Sequence, residues 1–426
     1  IDVWDMGAVQ EADTSKYNNN ITASDWDSCA NVSQAGKFVA GETTFGDLTI
    51  NHIANDRLFS TSSKNYGTNA LATTAYDDGY TAGGMYYCNG TGGETRRNVT
   101  INNVIAGDKI VVYMASSNAA TGTLVFKYLG EDNEQVEKAS FTNKGTKYEF
   151  VAKYSGSYKV YTDAAAGKPI YNRIVRIPGV AVSGTIDGAQ LSGYKVMFKD
   201  EANGITYDAD IKGNTFTATL AAGCNYTAVL SGVAGYGFSN ATKNISTTVD
   251  EALTGKSGVT LSIEEKKVYT YTGKVTGFAA DYDTSNLSVK LVADSSSLAD
   301  DVILKLDSEK AFTATLEPDV KYTVELIGVN DYEVLSGGEI ISQVSYSRDI
   351  EVSARRLYKA AGKFAGLDGN TAVTDVKFTN VDDKYIYTGK VTTDGYEVML
   401  RNGSYSIEAV ADGYRTTTHI VVSDAD

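Results

Sequence analysis

Phe216-Thr217-Ala218-Thr219-Leu220 returns unchanged as Phe312-Thr313-Ala314-Thr315-Leu316, and in altered form as Tyr396-Glu397-Val398-Met399-Leu400. In each copy the apolar residues sit at alternate positions. Successive side chains of a strand point to opposite faces, so each trio shares one face of a strand. A tyrosine follows the leucine after six, six and five residues, at Tyr226, Tyr322 and Tyr405. Another follows after ten, ten and nine more, at Tyr236, Tyr332 and Tyr414. Tyr226, Ala228 and Leu230 alternate again. The two runs read as a β-hairpin feeding a sandwich core, with the second tyrosine closing a corner.

Working outward, each copy opens on a similar stretch: Val182-Ser183-Gly184-Thr185-Ile186, Tyr271-Thr272-Gly273-Lys274-Val275 and Ala361-Gly362-Lys363-Phe364. Alternating strands follow at Tyr194–Phe198, Leu287–Val292 and Val373–Phe378. A repeat of about 90 residues fits an immunoglobulin-like sandwich of seven strands. Three tandem sandwiches are therefore expected, over 181–266, 268–356 and 358–426. Residues 1–178 lack the repeat. Ile110-Val111-Val112, Leu124-Val125-Phe126 and Tyr158-Lys159-Val160 belong to many short strands, as in a jelly-roll-like sandwich. Pro178-Gly179 reads as a hinge between the two regions.

Composition agrees with an all-β chain of two to four domains: 426 residues, 29 Tyr, 41 Gly and 3 Pro. The 38 basic and 53 acidic residues give a net charge of −15. Residues 1–178 hold 16 basic and 19 acidic residues; the remainder hold 22 and 34. That acidity argues against nucleic acid and anionic membranes as partners. Apolar runs such as Lys109–Met114 fall far short of the roughly 20 residues of a membrane helix. The chain opens at Ile1 without an initiator Met, as a processed secreted protein would, and holds nine Asn-x-Ser/Thr sites. Cys29, Cys88 and Cys224 allow one disulfide, Cys29–Cys88 before others, or three buried thiols.

With two histidines, no nucleophile elbow and no phosphate loop, a catalytic role is not expected. His52 reads as structural. Sugar binding asks for aromatic faces to stack on C–H groups, and an acidic sugar for Arg. Tyr80, Tyr86, Tyr87, Asn89, Arg96 and Arg97 bring these together between flexible glycines, and Trp26 is a further platform. Trp4 reads as core. Tyr86 and Tyr87 are neighbours on one strand and face opposite ways. No cofactor is required. The acidic pairs Asp25/Asp27, Asp77/Asp78 and Asp281/Asp283 are candidates for a structural calcium, though none shows a full ligand loop. Lys274 and Lys363 occupy the early-strand position of an isopeptide-forming lysine.

Val3-Trp4-Asp5-Met6-Gly7-Ala8 and Asp13-Thr14-Ser15-Lys16-Tyr17-Asn18-Asn19 resemble the start of a non-catalytic module. Such modules occur in secreted pectinesterase and pectate-lyase-type proteins of gut Clostridia. Gly107–Tyr113 and Gly156–Tyr161 fit the same module, and the repeats are similar to carboxypeptidase-regulatory or transthyretin-like domains. The resemblance implies a carbohydrate-binding jelly roll. The chain has no room for the β-helix catalytic domain of those enzymes, so it implies an accessory or stand-alone surface protein. The expected function is binding of pectic polysaccharide at the cell surface, with the repeats as spacer. The alternative is a structural subunit of an extracellular filament, pilus-like fibre or surface layer, self-associating through terminal strands at Ile1–Met6 and Thr417–Val422.

Overall fold

The computed structural model describes residues 1–426 except 34, 63–72, 118–120, 132–133, 164–166, 298, 370, 394, 417 and 425–426. Strands dominate, with two short helices among the described residues, Ala23–Ser28 and Glu251–Thr254. Packing divides the chain into two compact units, Ile1–Glu265 and Lys266–Asp426.

The first unit begins with a jelly-roll-like sandwich. One sheet runs Thr146–Val151, Lys109–Ser116, Pro169–Ile177, Asp2–Asp5, Asn18–Asn19, with Gly84–Tyr87 and Arg57–Ser60 joined to it. The facing sheet runs Val136–Phe141, Gly122–Tyr128, Gly156–Asp163, Asn98–Val104, Leu48–His52, Gly41–Phe45. Trp4, Ile50, Val112 and Phe126 fill the space between them. The buried Trp4 indole donates to the Phe45 carbonyl at 2.8 Å, which offsets the cost of burying its N–H.

Pro178-Gly179 is a packed joint, not the expected hinge. Gly179 N donates to Asp108 Oδ1 at 3.3 Å. Val111, Val175 and Ile177 share one continuous core with Val180, Val182 and Leu220 of the first repeat. Two residues between strands, with apolar side chains on both sides, leave no slack.

The first two repeats are complete sandwiches. In each, an opening strand (Val180–Gly188, Tyr269–Thr276) lies between two partners. On one side is the antiparallel aromatic strand (Thr215–Leu220, Ala311–Leu316). On the other is a parallel closing strand (Lys256–Glu265, Ile350–Ala354). The glycine shared by the three copies has a packing reason. Gly184 lies opposite Phe216, Gly273 opposite Phe312 and Gly362 opposite Tyr396. A Cβ on Gly273 would stand 2.9 Å from the Phe312 ring and 2.1 Å from the Arg348 carbonyl oxygen. Ring and neighbouring backbone occupy the space a side chain would need.

The expected hairpin is not formed. Thr215–Leu220 pairs with the opening strand, whereas Asn225–Ser231 pairs with Lys195–Asp200 in the facing sheet. Residues 221–224 arch between the sheets, and Leu220 and Tyr226 enter one core from opposite sides. Alternation states which face is buried and leaves the neighbouring strand open. The corner belongs to the first tyrosine, not the second. Tyr226 OH donates to the Ala221 carbonyl at 2.9 Å, and Tyr405 OH to that of Arg401 at 2.8 Å. Tyr332 is buried whereas Tyr414 is exposed, so the second tyrosine has no common role.

The third repeat is one continuous path: Tyr358–Gly362, Tyr396–Leu400, Ile386–Val391, Asp375–Asn380, Gly403–Val410, His419–Val422. It reproduces the others up to that point. Its opening strand, Tyr358–Gly362, pairs with Tyr396–Leu400. Arg401 ties it to the second repeat, donating to the Asn330 carbonyl at 3.2 Å and pairing with Asp383.

Candidate functional site

The residues expected to bind sugar are dispersed by the fold. Tyr86 is fully buried between Tyr171 and Phe38, and its hydroxyl donates to the Asn51 carbonyl at 3.1 Å. Arg97 is buried too. Its Nε donates to Oδ1 of the fully buried Asp56 at 2.8 Å. Asp56 also accepts the Asn89 N–H at 2.9 Å. A charge buried this way must be paired, and here it pins the 88–97 loop to the core. Trp26 lies in the Ala23–Ser28 helix, fully buried and edge-on to Phe38 and Phe45. The helix is short, and a capping box between Thr22 and Asp25 fixes its start. Tyr86, Arg97 and Trp26 are thus core residues in this fold and present no face to a polysaccharide.

Tyr80 sits on the outer face of the sheet in a polar aromatic cluster. Its hydroxyl donates to Asp5 Oδ2 at 2.8 Å, and the Arg173 guanidinium lies 4.8 Å from its ring centre. Burial pushes the Asp5 carboxyl above the usual carboxylate range, against the pull of Tyr80 and Arg173. Tyr87, Asn89 and Arg96 remain at the surface. Lys168, which the sequence reading missed, joins them: its Nζ lies 5.9 Å from the Tyr87 ring and 3.1 Å from Asn89 Oδ1.

The acidic pairs have local duties. Asp25 accepts the Thr22 N–H and hydroxyl, each at 2.7 Å, as half of the capping box. Asp78 accepts the Tyr113 hydroxyl at 2.7 Å. Neither Asp27 nor Asp77 completes a ligand set with them: among the described residues no three His, Cys, Asp or Glu side chains converge on a metal position. His52 is held by the Val39 carbonyl at 2.7 Å and the Thr43 hydroxyl at 2.8 Å, stacked on Phe38. The three cysteines are free, so the Cys29–Cys88 bond is not formed. Burial pushes the Cys88 and Cys224 thiols up, away from the reactive thiolate. Lys274 pairs with Glu309 at 2.6 Å on the surface, and Lys363 is exposed. Neither has the buried approach to an Asn or Asp that an isopeptide bond needs.

The most distinctive feature is the end of the third sandwich. In the first two, the closing strand plugs the core with Leu261 and Ile263, and with Ile350 and Val352, all buried. These residues lie beside Ile186 and Val275 of the opening strands, 4% and 3% exposed. The corresponding Phe364 is only partly buried, as are Ile407 and Ala409. A cavity of ≈ 290 Å³ opens there, lined by Phe364, Leu367, Tyr396, Ile407, Ala409 and Tyr414. Lys363 and Arg415 stand on its rim, and neither makes an ion pair among the described residues. A second glycine follows the first after four residues in every copy: Gly188, Gly277 and Gly366, all at positive φ. A Cβ on Gly188 or Gly277 would stand 2.4 or 2.0 Å from a closing-strand carbonyl, of Ile263 or Val352. On Gly366 it would meet nothing within 4 Å. The Gly-x-apolar-x-Gly spacing was the sequence signal for this site.

No family model and no curated protein matches the chain. Among solved structures it is similar to a streptococcal ancillary pilin, at 8% identity over 58% of this chain and 96% of that one, with a TM-score of 0.25. It is also similar to the Bacillus anthracis TIE protein (12% identity, 83% and 74% covered, TM-score 0.18). A third is the shaft pilin SpaA of Lactobacillus rhamnosus GG (11%, 41% and 98%, TM-score 0.20). Scores this low carry no argument.

Proposed function

We propose that the chain is a non-catalytic structural subunit of an extracellular assembly, a series of β-sandwiches that joins its neighbours by strand pairing. One observation carries this: the chain is a series of β-sandwiches whose sheets end in edge strands, such as Gly41–Phe45 and His419–Val422, each paired on one side among the described residues. An exposed strand edge is a template for a further strand. The pectin-binding reading loses three of its residues to the core and keeps Tyr87, Asn89 and Arg96 at the surface. Strand exchange through Ile1–Met6 is disfavoured, because Asp2–Asp5 is already paired on both sides and Trp4 is buried.

The test sets two measurements on the full chain side by side: electron microscopy with light scattering across concentration, and retention on homogalacturonan gel. Ordered assemblies without retention support a structural subunit. Saturable retention that Tyr87→Ala abolishes, from a protein that stays monomeric, would make it a glycan-binding module instead.

A further inference from the structure

One edge of the second sandwich is complementary to itself, an inference that rests on the structural-subunit reading. We propose that this sandwich pairs with a second copy of the chain, edge strand to edge strand and antiparallel along Ala311–Leu316, about a two-fold axis at Ala314.

Ala311–Leu316 ends its sheet and is bonded on one side to Tyr269–Thr276. The same strand is covered in the other two copies: Asp210–Lys212 pairs with residues 215–217, and residues 390–391 pair with 396–397. Among the described residues no strand pairs with the outer side of Ala311–Leu316. Backbone groups along a strand alternate in direction. The Lys310 carbonyl accepts the Val275 N–H at 3.0 Å, so Phe312, Ala314 and Leu316 also turn their groups toward the opening strand. Ala311, Thr313, Thr315 and Glu317 turn theirs outward. Both ends of that outer row are closed within the sandwich. Asp307 Oδ1 accepts the Ala311 N–H at 2.8 Å, and the Ala311 carbonyl accepts the Asp307 N–H at 3.0 Å. The Ser342 hydroxyl donates to the Glu317 carbonyl. Thr313 and Thr315 are left with two N–H and two C=O groups facing away from the sheet. No charge, proline or bulge interrupts residues 311–316, the devices by which edges are commonly blunted.

Two copies satisfy these groups in one register. Outward residues must face outward residues, so that the apolar inner faces continue across the join. With the axis at Ala314, Thr313 lies opposite the partner's Thr315, and Thr315 opposite the partner's Thr313. Each pair exchanges two N–H···O=C bonds, which uses every open group on both edges. Phe312 then lies opposite the partner's Leu316 on the inner face, and the exposed threonines face each other on the outer one. Moving the axis to Thr313 or Thr315 would set a threonine against Ala311 or Glu317, whose groups are already taken. Charge decides the direction. Lys310 and Glu317 flank the strand. Antiparallel, each Lys310 comes within one residue of the partner's Glu317. Parallel and in register, lysine would meet lysine and glutamate glutamate. Two copies that each carry a net charge of −15 repel, and a strand without charge of its own is where they can approach.

The test is sedimentation velocity of the full chain across concentration, with amide exchange as a second readout. A contact this short is expected to dissociate in the micromolar range or above. Expected are a reversible dimer and slowed exchange of the Thr313 and Thr315 amides as concentration rises. Thr313→Lys plus Thr315→Lys, at two exposed positions, sets like charges across the axis and should weaken association at least about tenfold. Lys310→Glu should weaken it less, and that difference should shrink at high salt. Should the lysine variant fail to fold, Lys310→Glu carries the test alone. A natively melting chain that is still monomeric at about 1 mM overturns the proposal, as does a dimer that both variants form equally well. Ordered assemblies that the lysine variant also forms would sink this edge and leave the structural-subunit reading standing. A dimer abolished in the lysine variant, from a chain that forms nothing larger and is retained on homogalacturonan, would do the reverse.

Discussion

A glycine opposite an aromatic ring is the smallest unit of the repeat, and it separates the copies. Gly273→Val would drive a side chain into the Arg348 carbonyl and the Phe312 ring. A loss of about 3 kcal/mol is expected by denaturant unfolding. Gly366→Ala meets open space and carries only the cost of its positive φ, about 1 kcal/mol. Equal losses at both would show that Gly366 does not face open space. His52 offers a second residue-scale test. Burial lowers its pKa below 6.5, although the Val39 carbonyl pulls the other way. A neutral imidazole held this way contributes stability above pH 6.5 that is lost as pH falls through the depressed value. The melting temperature of the chain should therefore drop from pH 7.5 to 5, and His52→Gln should flatten that slope. An unchanged slope would show that His52 is not its source. What the sequence concealed at this scale was burial. Arg97 is a surface residue by type, and nothing in Thr95-Arg96-Arg97 announces that Asp56 waits for it in the core.

At the scale of elements, the alternation in Phe216–Leu220 was legible and its partner was not. The trio marks a buried face; pairing depends on the 221–224 arch, whose direction no periodicity encodes. The tyrosine step was legible as a repeat, but its meaning lies in the arch. Tyr226 OH spans it to the Ala221 carbonyl, which Thr247 Oγ1 also reaches at 2.7 Å. Tyr226→Phe should therefore cost only about 1 kcal/mol, because the carbonyl keeps one donor. Adding Thr247→Val strips it, and the double variant should lose more than the sum of the singles. Additive losses in a double-mutant cycle would mean the two hydroxyls do not share that carbonyl's burden.

Over the whole molecule, the repeat boundaries and the mechanical boundaries differ. The pattern changes near Pro178, yet Val175, Ile177, Val180 and Val182 belong to one core that runs across it. A core shared by two sandwiches gives them a common fate, because neither can expose its half without the other losing contacts. Both tryptophans lie in the jelly roll, so indole fluorescence reports on that sandwich alone. Amide exchange in Thr215–Leu220 and Lys256–Glu265 reports on the first repeat. The two signals should be lost at the same denaturant concentration. Ile177→Ala, a cavity at the joint, should cost about 2–5 kcal/mol and shift both together. If the tryptophans of that variant were exposed while the first repeat's amides stayed protected, Pro178-Gly179 would be the flexible break its composition suggests, and the shared core would be contact without cooperation.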